Sequence, residues 1–214
     1  MKNNLWILAL LALSCTVPKE EKLPIMGRKE ISEKEVNGEM VSDTVYHQIG
    51  DFSFVNQDSL EVTHDTFKDQ IYIADFFFTS CPTICPIMKT QMLRVYDTIQ
   101  HLDDVKILSH TIDPEYDTVA LLRDFAERLG VTSDKWHFVT GEQEKIYEIG
   151  QRSYMVTALE DSSQPGGFVH SGAFILVDKD RRVRGLYDGT KADQVDRLIK
   201  ELAILRKEYE VTIN

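Results

Sequence analysis

The sequence predicts an α/β domain, and three features of the order of its segments indicate this. A short β-hairpin over 52–63 precedes an apolar strand at 71–78. Helical and strand-like segments then alternate, and the predicted order ends with two strands and an amphipathic helix. Such an order favours a largely parallel sheet covered by helices. It fits a thioredoxin-like fold with an N-terminal β-hairpin and an inserted helix.

The strand at 71–78 is predicted to lie at the centre of the sheet, because its residues are mostly apolar, as in strands covered on both faces. Pro86 suits the first turn of a helix, where its missing N–H costs no hydrogen bond. Met88 and Met92 recur at helical spacing after it, and we interpret them as core residues rather than sulfur ligands. The other expected elements are strands at 105–112, 136–139, 173–177 and 182–187, helices at 118–129, 142–154 and 192–205, and a long loop at 155–169.

The composition suits one globular domain with a tail, and the charge excludes one class of function. The chain has 214 residues, of which 43% are hydrophobic and 28% are charged. Its net charge is −11 and no block of Lys and Arg interleaves with aromatic residues, so nucleic-acid binding is not expected. The three cysteines, Cys15, Cys81 and Cys85, do not form the paired four-ligand pattern of a structural zinc site.

The N-terminal segment is predicted to be an export signal. Residues 1–14 contain an apolar run that is too short to span a membrane. The sequence Ala12-Leu13-Ser14-Cys15 resembles a bacterial lipoprotein signal, in which the cysteine is acylated. The alternative is an ordinary signal peptide with an incidental cysteine.

The chain after this signal divides into two parts. Residues 15–45 are rich in Lys and Glu and are expected to form a flexible tether. Residues 46–214 are expected to form the thioredoxin-like domain. Acyl chains on Cys15 would hold this domain at a membrane without spanning it. The expected location is the bacterial cell envelope, at the periplasmic face of the inner membrane.

Cys81 and Cys85 are predicted to lie where the central strand ends and a helix begins. Pro86 places Cys85 at the helix N-terminus and Cys81 in the loop before it. Unpaired N–H groups and the positive end of the helix dipole favour a thiolate, which is the reactive and metal-binding form of cysteine. The two sulfurs would therefore close a disulfide or hold one soft metal ion. Two buried thiols without chemistry are the other interpretation.

His170 is the candidate for a third ligand. In a thioredoxin-like fold the loop before the last strand pair passes beside the cysteine loop, and His170 ends that loop just before the strand at 173–177. The neighbouring glycines would let the chain bend toward the cysteines. A lone histidine in a loop is usually a surface residue, so this interpretation depends on the predicted position. Two thiolates and one imidazole form a soft set that suits copper.

Three motifs resemble the Sco/SenC family of copper-binding proteins, which assist assembly of the CuA centre of cytochrome c oxidase. They are DFFFTSCPTICP at 75–86, SHTIDPEYDT at 109–118, and His170-Ser171 before the strand. The resemblance implies copper, as Cu⁺ or Cu²⁺, held by Cys81, Cys85 and His170, and cysteines that cycle between dithiol and disulfide. It implies as partners cytochrome c oxidase subunit II or another copper enzyme, and a protein that supplies thiol reductant.

Two functions stay open at this point. One is a copper metallochaperone. The other is a thiol–disulfide oxidoreductase or thiol peroxidase that needs no metal, with Cys81 as the attacking thiol and Cys85 as the resolving thiol. Asp113 and Asp117 are candidates for partner recognition, and the alternative roles are a turn residue and a helix cap. We interpret the other histidines as surface or core residues: His47, His64, His101, His110 and His137.

Overall fold

The structure is a computed structural model that describes residues 22–36, 38–160 and 168–211. The predicted signal at 1–14 and Cys15 lie outside these residues. The strands are β1 (Lys29–Val36), β2 (Glu39–Tyr46), β3 (Ser53–Asn56), β4 (Glu61–Thr63), β5 (Ile71–Phe77), β6 (Val105–Thr111), β7 (Trp136–Thr140), β8 (Ala158–Glu160), β9 (Phe168–His170), β10 (Ala173–Val177) and β11 (Val183–Asp188). The helices are α1 (Cys85–Ile99), α2 (Val119–Leu129), α3 (Gln143–Glu148) and α4 (Ala192–Val211), with a short 3₁₀ helix at His64–Phe67 and a π-helical turn at Ile149–Ser153.

Seven strands form the main sheet in the order β11-β10-β5-β6-β7-β3-β4. The three central strands β5, β6 and β7 are parallel neighbours, whereas the outer strands pair antiparallel. Parallel neighbours need crossover connections, and α1 and α2 supply them. This sheet, its helices and the hairpin β3–β4 confirm the predicted thioredoxin-like α/β fold.

β5 lies at the centre of the core, and all of its residues are buried. Phe76 and Phe77 face opposite sides of the sheet, as neighbouring residues of a strand do. Phe76 packs against Tyr154 with ring centroids 5.6 Å apart, and Phe77 packs against Phe138 at 5.4 Å. In α1, Met88 and Met92 are fully buried. Their burial confirms that they are core residues.

The ends of two helices follow the local sequence signals. α2 begins after Thr118, whose hydroxyl oxygen accepts a hydrogen bond from the Leu121 N–H at 3.3 Å. It ends at Gly130, which has a left-handed φ of 70°. α1 begins at Cys85 and has Pro86 in its first turn, as expected.

The described part of the expected tether contains regular structure. β1 and β2 pair antiparallel over their whole length, from Lys29 opposite Tyr46 to Val36 opposite Glu39, and we call this hairpin the arm. Gly38 in the connecting turn has a φ of 84°. In the described residues the arm pairs with no strand of the main sheet, so its strands have no buried face. The expectation of a tether without regular structure is corrected for 29–46, where cross-strand pairing, rather than an apolar pattern, forms the strands.

The loop expected at 155–169 also contains strands. β8 and β9 pair antiparallel, with Ala158 opposite His170 and Glu160 opposite Phe168. Each strand has only three residues, too few for a recognisable alternation of apolar and polar residues. Residue 170 therefore ends a short strand rather than a loop.

Candidate metal centre

The cysteine loop joins the carboxyl end of β5 to the first turn of α1. The Cys81 N–H donates to the Phe78 carbonyl oxygen at 3.3 Å, which turns the chain back after the strand. Ile84, the residue before α1, provides no side-chain cap for the first N–H groups of the helix. Both Cys81 and Cys85 are buried, and neither is part of a disulfide. The predicted place of the two cysteines at a strand–helix junction is therefore observed.

The two thiols differ in acidity. Burial acts to raise the pKa of the Cys81 thiol. Hydrogen bonds from the backbone and the side chains of Thr83 and Cys85 lower this pKa by more than burial raises it, so the pKa of Cys81 is below its ordinary value. Burial raises the pKa of the Cys85 thiol well above its ordinary value, against the opposing effect of the Lys89 charge. Cys81 is thus the sulfur that becomes a thiolate more readily, while Cys85 keeps its proton.

A buried ion pair lies beneath the first turns of α1. Lys89 Nζ is 2.8 Å from Asp75 Oδ2, and the two side chains are 5% and 0% exposed. Ser109 Oγ donates to the other carboxylate oxygen of Asp75 and accepts a hydrogen bond from Trp136 Nε1 at 2.9 Å. The ammonium group also lies 4.0 Å from the centroid of the Phe77 ring. No local pattern indicates this pair, because Lys89 appears in the sequence only as a polar residue among apolar ones.

Asp117 holds the strand end that leads into the cysteine loop. Its carboxylate accepts hydrogen bonds from the Thr79 N–H at 3.0 Å, from the Thr79 hydroxyl and from the Thr111 hydroxyl. Thr79 lies two residues before Cys81, and Thr111 ends the neighbouring strand β6. Asp117 is fully buried.

This placement corrects both roles considered for Asp117. A fully buried carboxylate is not available at the surface for partner recognition. The helix cap is the neighbouring Thr118 rather than Asp117. Asp113 differs, since it is only partly buried and accepts a hydrogen bond from the Tyr116 N–H at 3.4 Å.

The segment around His170 lies against the cysteine loop on both sides of that residue. Two residues before it, the Phe168 ring packs against Phe78 with centroids 5.0 Å apart. Two residues after it, a Cβ added at Gly172 would lie 3.6 Å from Ile84 Cδ1. Phe78 precedes Cys81, and Ile84 lies between the two cysteines. The backbone of residue 170 is thus bracketed by two contacts with the loop that carries Cys81 and Cys85.

A groove of about 390 Å³ adjoins this contact and is lined by Ile84, Ser171, Gly172, Leu186 and Asp188, among others. The side chains that the structure describes do not include that of His170. Among the described ones, no group of three His, Cys, Asp or Glu residues is close enough to hold a metal ion.

His110, within the second motif, is a core residue. It is fully buried, stacks on Phe76 at 4.9 Å and meets Phe54 edge-on at 5.4 Å. Neither ring nitrogen has a hydrogen-bond partner among the described residues. Burial lowers its pKa from 6.5 to about 3, so the ring is neutral at pH 7. His110 is therefore a neutral residue enclosed by aromatic rings of the core.

Comparison with models of protein families identifies the family to which this chain belongs. A model described as SCO1/SenC matches residues 42–205. The chain belongs to the SCO1/SenC family. A SCO1/SenC relative, the SCO1 protein homolog of Bacillus subtilis (strain 168), is 30% identical over 167 residues, which are 77% of this chain and 86% of the relative.

Solved structures of SCO1/SenC proteins share the fold. A SCO1/SenC family lipoprotein from Bacillus anthracis is 25% identical, has a TM-score of 0.69, and the match covers 75% of this chain and 95% of that one. Arabidopsis thaliana ScoI, solved with copper bound, is 26% identical with a TM-score of 0.60, and the match covers 72% of this chain and 97% of that one. Copper is therefore a ligand of SCO1/SenC proteins related to this chain.

Proposed function

We propose that this chain binds copper through Cys81, Cys85 and His170 and delivers it to the CuA centre of cytochrome c oxidase subunit II or to another copper enzyme. The observation that carries the proposal is the bracketing of residue 170 by Phe168 on Phe78 and by Gly172 on Ile84. It holds the strand that ends at His170 against the loop that carries both sulfurs. The copper bound by the Arabidopsis relative supports the choice of metal.

The chemistry of the donors fits copper as the cargo. Thiolates and imidazole are soft or borderline ligands that copper prefers over hard cations, and two sulfurs with one nitrogen suit Cu⁺ and Cu²⁺. Neither cysteine is part of a disulfide, and both lie at one strand–helix junction. Copper displaces the thiol protons on binding, and displacing the proton of Cys85, which is held more tightly, costs more free energy.

The oxidation state of the pair controls loading. When Cys81 and Cys85 form a disulfide, two electrons and two protons leave the two thiols and no thiolate is left to bind copper. A thiol reductant protein must return both electrons and protons before copper binds.

A lipid anchor at Cys15 would keep the domain at the periplasmic face of the inner membrane. The lipoprotein from Bacillus anthracis supports this part of the proposal. Among the helices in the described part of the chain, none combines the length and hydropathy needed to cross a bilayer. Membrane attachment of the described domain would then depend on the acylated cysteine. Asp113 stays a candidate for contact with the recipient.

The ligand assignment is tested with the reduced domain and a copper chelator in competition. His170→Ala is expected to weaken copper binding by at least about tenfold, equivalent to about 1.4 kcal/mol. His101→Ala is the matched control, since His101 is exposed and follows the end of α1 that is opposite to Cys85. Equal copper affinity in the two variants would remove His170 from the ligand set.

A second function rests on the unequal acidity of the two thiols. A thiol–disulfide oxidoreductase needs one thiol that attacks as a thiolate and a second that resolves the mixed disulfide, and Cys81 and Cys85 suit these roles. This activity would reduce a disulfide of the partner without metal. The test is reduction of a partner disulfide in the presence of a copper chelator, with Cys85→Ser as the variant that traps the mixed disulfide.

A further inference from the structure

The arm, formed by β1 and β2, is attached to the domain at both of its ends. Before β1, the guanidinium of Arg184, whose side chain is only 4% exposed, donates to the Leu23 carbonyl oxygen at 2.6 Å. After β2, the Ile49 N–H donates to the Arg181 carbonyl oxygen at 2.8 Å. The hairpin is therefore held in place by the sheet edge on which both of its ends lie.

Both outer edges of the arm are open. Among the described residues, β1 pairs only with β2 and β2 only with β1. Each strand therefore keeps a row of backbone N–H and C=O groups outside any strand pairing. The arm also exposes apolar side chains, since Ile31 is 77% exposed and Met40 is 65% exposed. An open edge of this kind can add a further strand.

The charges of the two edges differ. The charged residues of β1 have both signs and are Lys29, Glu30, Glu33, Lys34 and Glu35. Those of β2 are only acidic and are Glu39 and Asp43. Two β2 edges would therefore bring only acidic charges together, which is unfavourable. The β1 edge is the one that can meet a copy of itself with opposite charges in contact.

We propose that the arm pairs with the arm of a second copy of this chain, β1 against β1, antiparallel, with Ser32 opposite Ser32 of the second copy. In this register Lys29 lies opposite Glu35, and Glu30 lies opposite Lys34. Two-fold symmetry repeats both pairs. Opposite charges that face each other across two strands stabilise the pairing. A continuous sheet of two arms then forms, in the strand order β2-β1-β1-β2.

The nearest alternative registers bring like charges together. A slip of one residue in one direction places Glu30 opposite Glu35. A slip in the other direction places Lys29 opposite Lys34 and Glu30 opposite Glu33. Parallel pairing in register would place every charge beside its own copy. Since facing like charges destabilise a pair of strands, the charge order of β1 favours the antiparallel register centred on Ser32.

Ile31 adds an apolar contact in the same register. It lies opposite Glu33 and diagonal to Ile31 of the second copy on the same face of the sheet, a separation that long side chains bridge. Charges on an edge strand usually prevent association between copies, but here their order favours it. A single strand edge per copy buries less surface than the interface of a stable dimer, so we expect a transient dimer.

The experiment exchanges the charges of β1 between two variants of the full chain. The acidic variant carries Lys29→Glu with Lys34→Glu, and the basic variant carries Glu30→Lys with Glu35→Lys. Copies that carry a donor or an acceptor fluorophore at the C-terminus are mixed in detergent. Energy transfer over a series of concentrations then gives the dissociation constant of the dimer.

Each variant alone is expected to associate at least about tenfold more weakly than the unchanged chain, because like charges then face each other. An equimolar mixture of the two variants is expected to associate as the unchanged chain does. In that mixed dimer all the ion pairs are restored with their charges exchanged. Recovery in the mixture also shows that both variants are folded.

Lys68→Glu with Lys200→Glu is the matched control, since it changes the net charge as the acidic variant does, at exposed positions outside the arm. It should associate as the unchanged chain does. An equal loss in this control would attribute the effect to net charge and overturn the proposal.

Two other results would also overturn the pairing of two copies. One is an unchanged chain that stays monomeric at every concentration, which would leave the β1 edge to a strand of a different protein. The other is a loss in both variants without recovery in their mixture. None of the proposed copper ligands Cys81, Cys85 and His170 belongs to the arm, so the proposed function and this pairing stand or fall separately.

Discussion

Phe78 and Phe168 lie ring to ring, with centroids 5.0 Å apart and planes inclined by 52°. Phe78 is the last apolar residue before the cysteine loop, and Phe168 begins the strand that ends at His170. This pair is the most direct described contact between the two segments that the copper proposal needs together. Its energy, about 0.5–1.5 kcal/mol beyond burial, is small enough to allow the strand to move and large enough to favour one position.

Phe168→Ala is expected to weaken copper binding without altering any ligand. Removal of the ring releases the β8–β9 hairpin from Phe78, and the lost energy corresponds to a reduction in affinity of about two- to tenfold. The measurement is chelator competition on the reduced domain. Leu159→Ala, on the same hairpin but 37% exposed, is the control and should leave the affinity unchanged. An equal loss in both variants would contradict a specific role of the ring pair.

Asp117→Asn is expected to destabilise the domain and to weaken copper binding. The amide keeps one acceptor oxygen and introduces N–H donors opposite the donors of Thr79 and Thr111. Loss of buried charged hydrogen bonds costs about 3 kcal/mol, to be measured as the free energy of unfolding in urea.

Asp124→Asn is the matched control for Asp117→Asn. Its carboxylate belongs to an ion pair with Arg128 in which both side chains are about 60% exposed. Such a pair contributes less than about 1 kcal/mol. A loss at Asp117 no larger than at Asp124 would refute the structural role assigned to Asp117.

Lys89→Met is expected to lower the free energy of unfolding by about 3–5 kcal/mol, because it leaves the Asp75 carboxylate buried without its counter-charge. The double variant Lys89→Met with Asp75→Asn removes both charges and should recover at least half of that loss. Urea unfolding of the single and double variants measures the coupling. Additive losses would show that the two side chains do not depend on each other.

The stability of the domain is expected to fall from pH 7 to pH 5, partly because of His110. Its pKa is about 3 in the folded chain and 6.5 in the unfolded one, so below pH 6.5 the unfolded chain binds the proton and the folded chain does not. The cost is about 1.4 kcal/mol per pH unit, or about 2 kcal/mol at pH 5. His137, whose pKa is lowered to about 4, adds a second contribution of the same sign.

His110→Phe tests this pH dependence, since a phenyl ring of similar size suits the surrounding aromatic rings. Urea unfolding at pH 7 and pH 5 should show a smaller loss in His110→Phe than in the unmodified chain. His101→Phe, at an exposed position, should keep the full loss. An unchanged difference between the two pH values in His110→Phe would contradict the burial of a neutral imidazole.

Much of the sheet could be predicted because its residues carry strong local signals. The apolar run of β5, Pro86 in the first turn of α1 and Gly130 at the end of α2 each favour one local structure. Their order along the chain then restricts the topology. The strand–helix junction that carries Cys81 and Cys85 follows from the same signals.

The features that escaped prediction depend on contacts between distant residues. Among the described residues, the two strands of the arm pair with each other and with no other strand, and β8 and β9 have three residues each. Arg184 reaches Leu23 across 161 positions, and Asp117 reaches Thr79 across 38. Neither side chain differs locally from an ordinary surface residue, so only the folded chain identifies it.

The most direct test of the account is a titration of the fully reduced domain with Cu²⁺, followed by optical and EPR spectra. Two thiolates and an imidazole predict one bound copper per chain and an intense sulfur-to-copper charge-transfer band. The band should be absent in Cys81→Ser/Cys85→Ser and in the oxidised domain. Binding of copper at full stoichiometry without this band, or with the cysteines removed, would contradict the proposed centre.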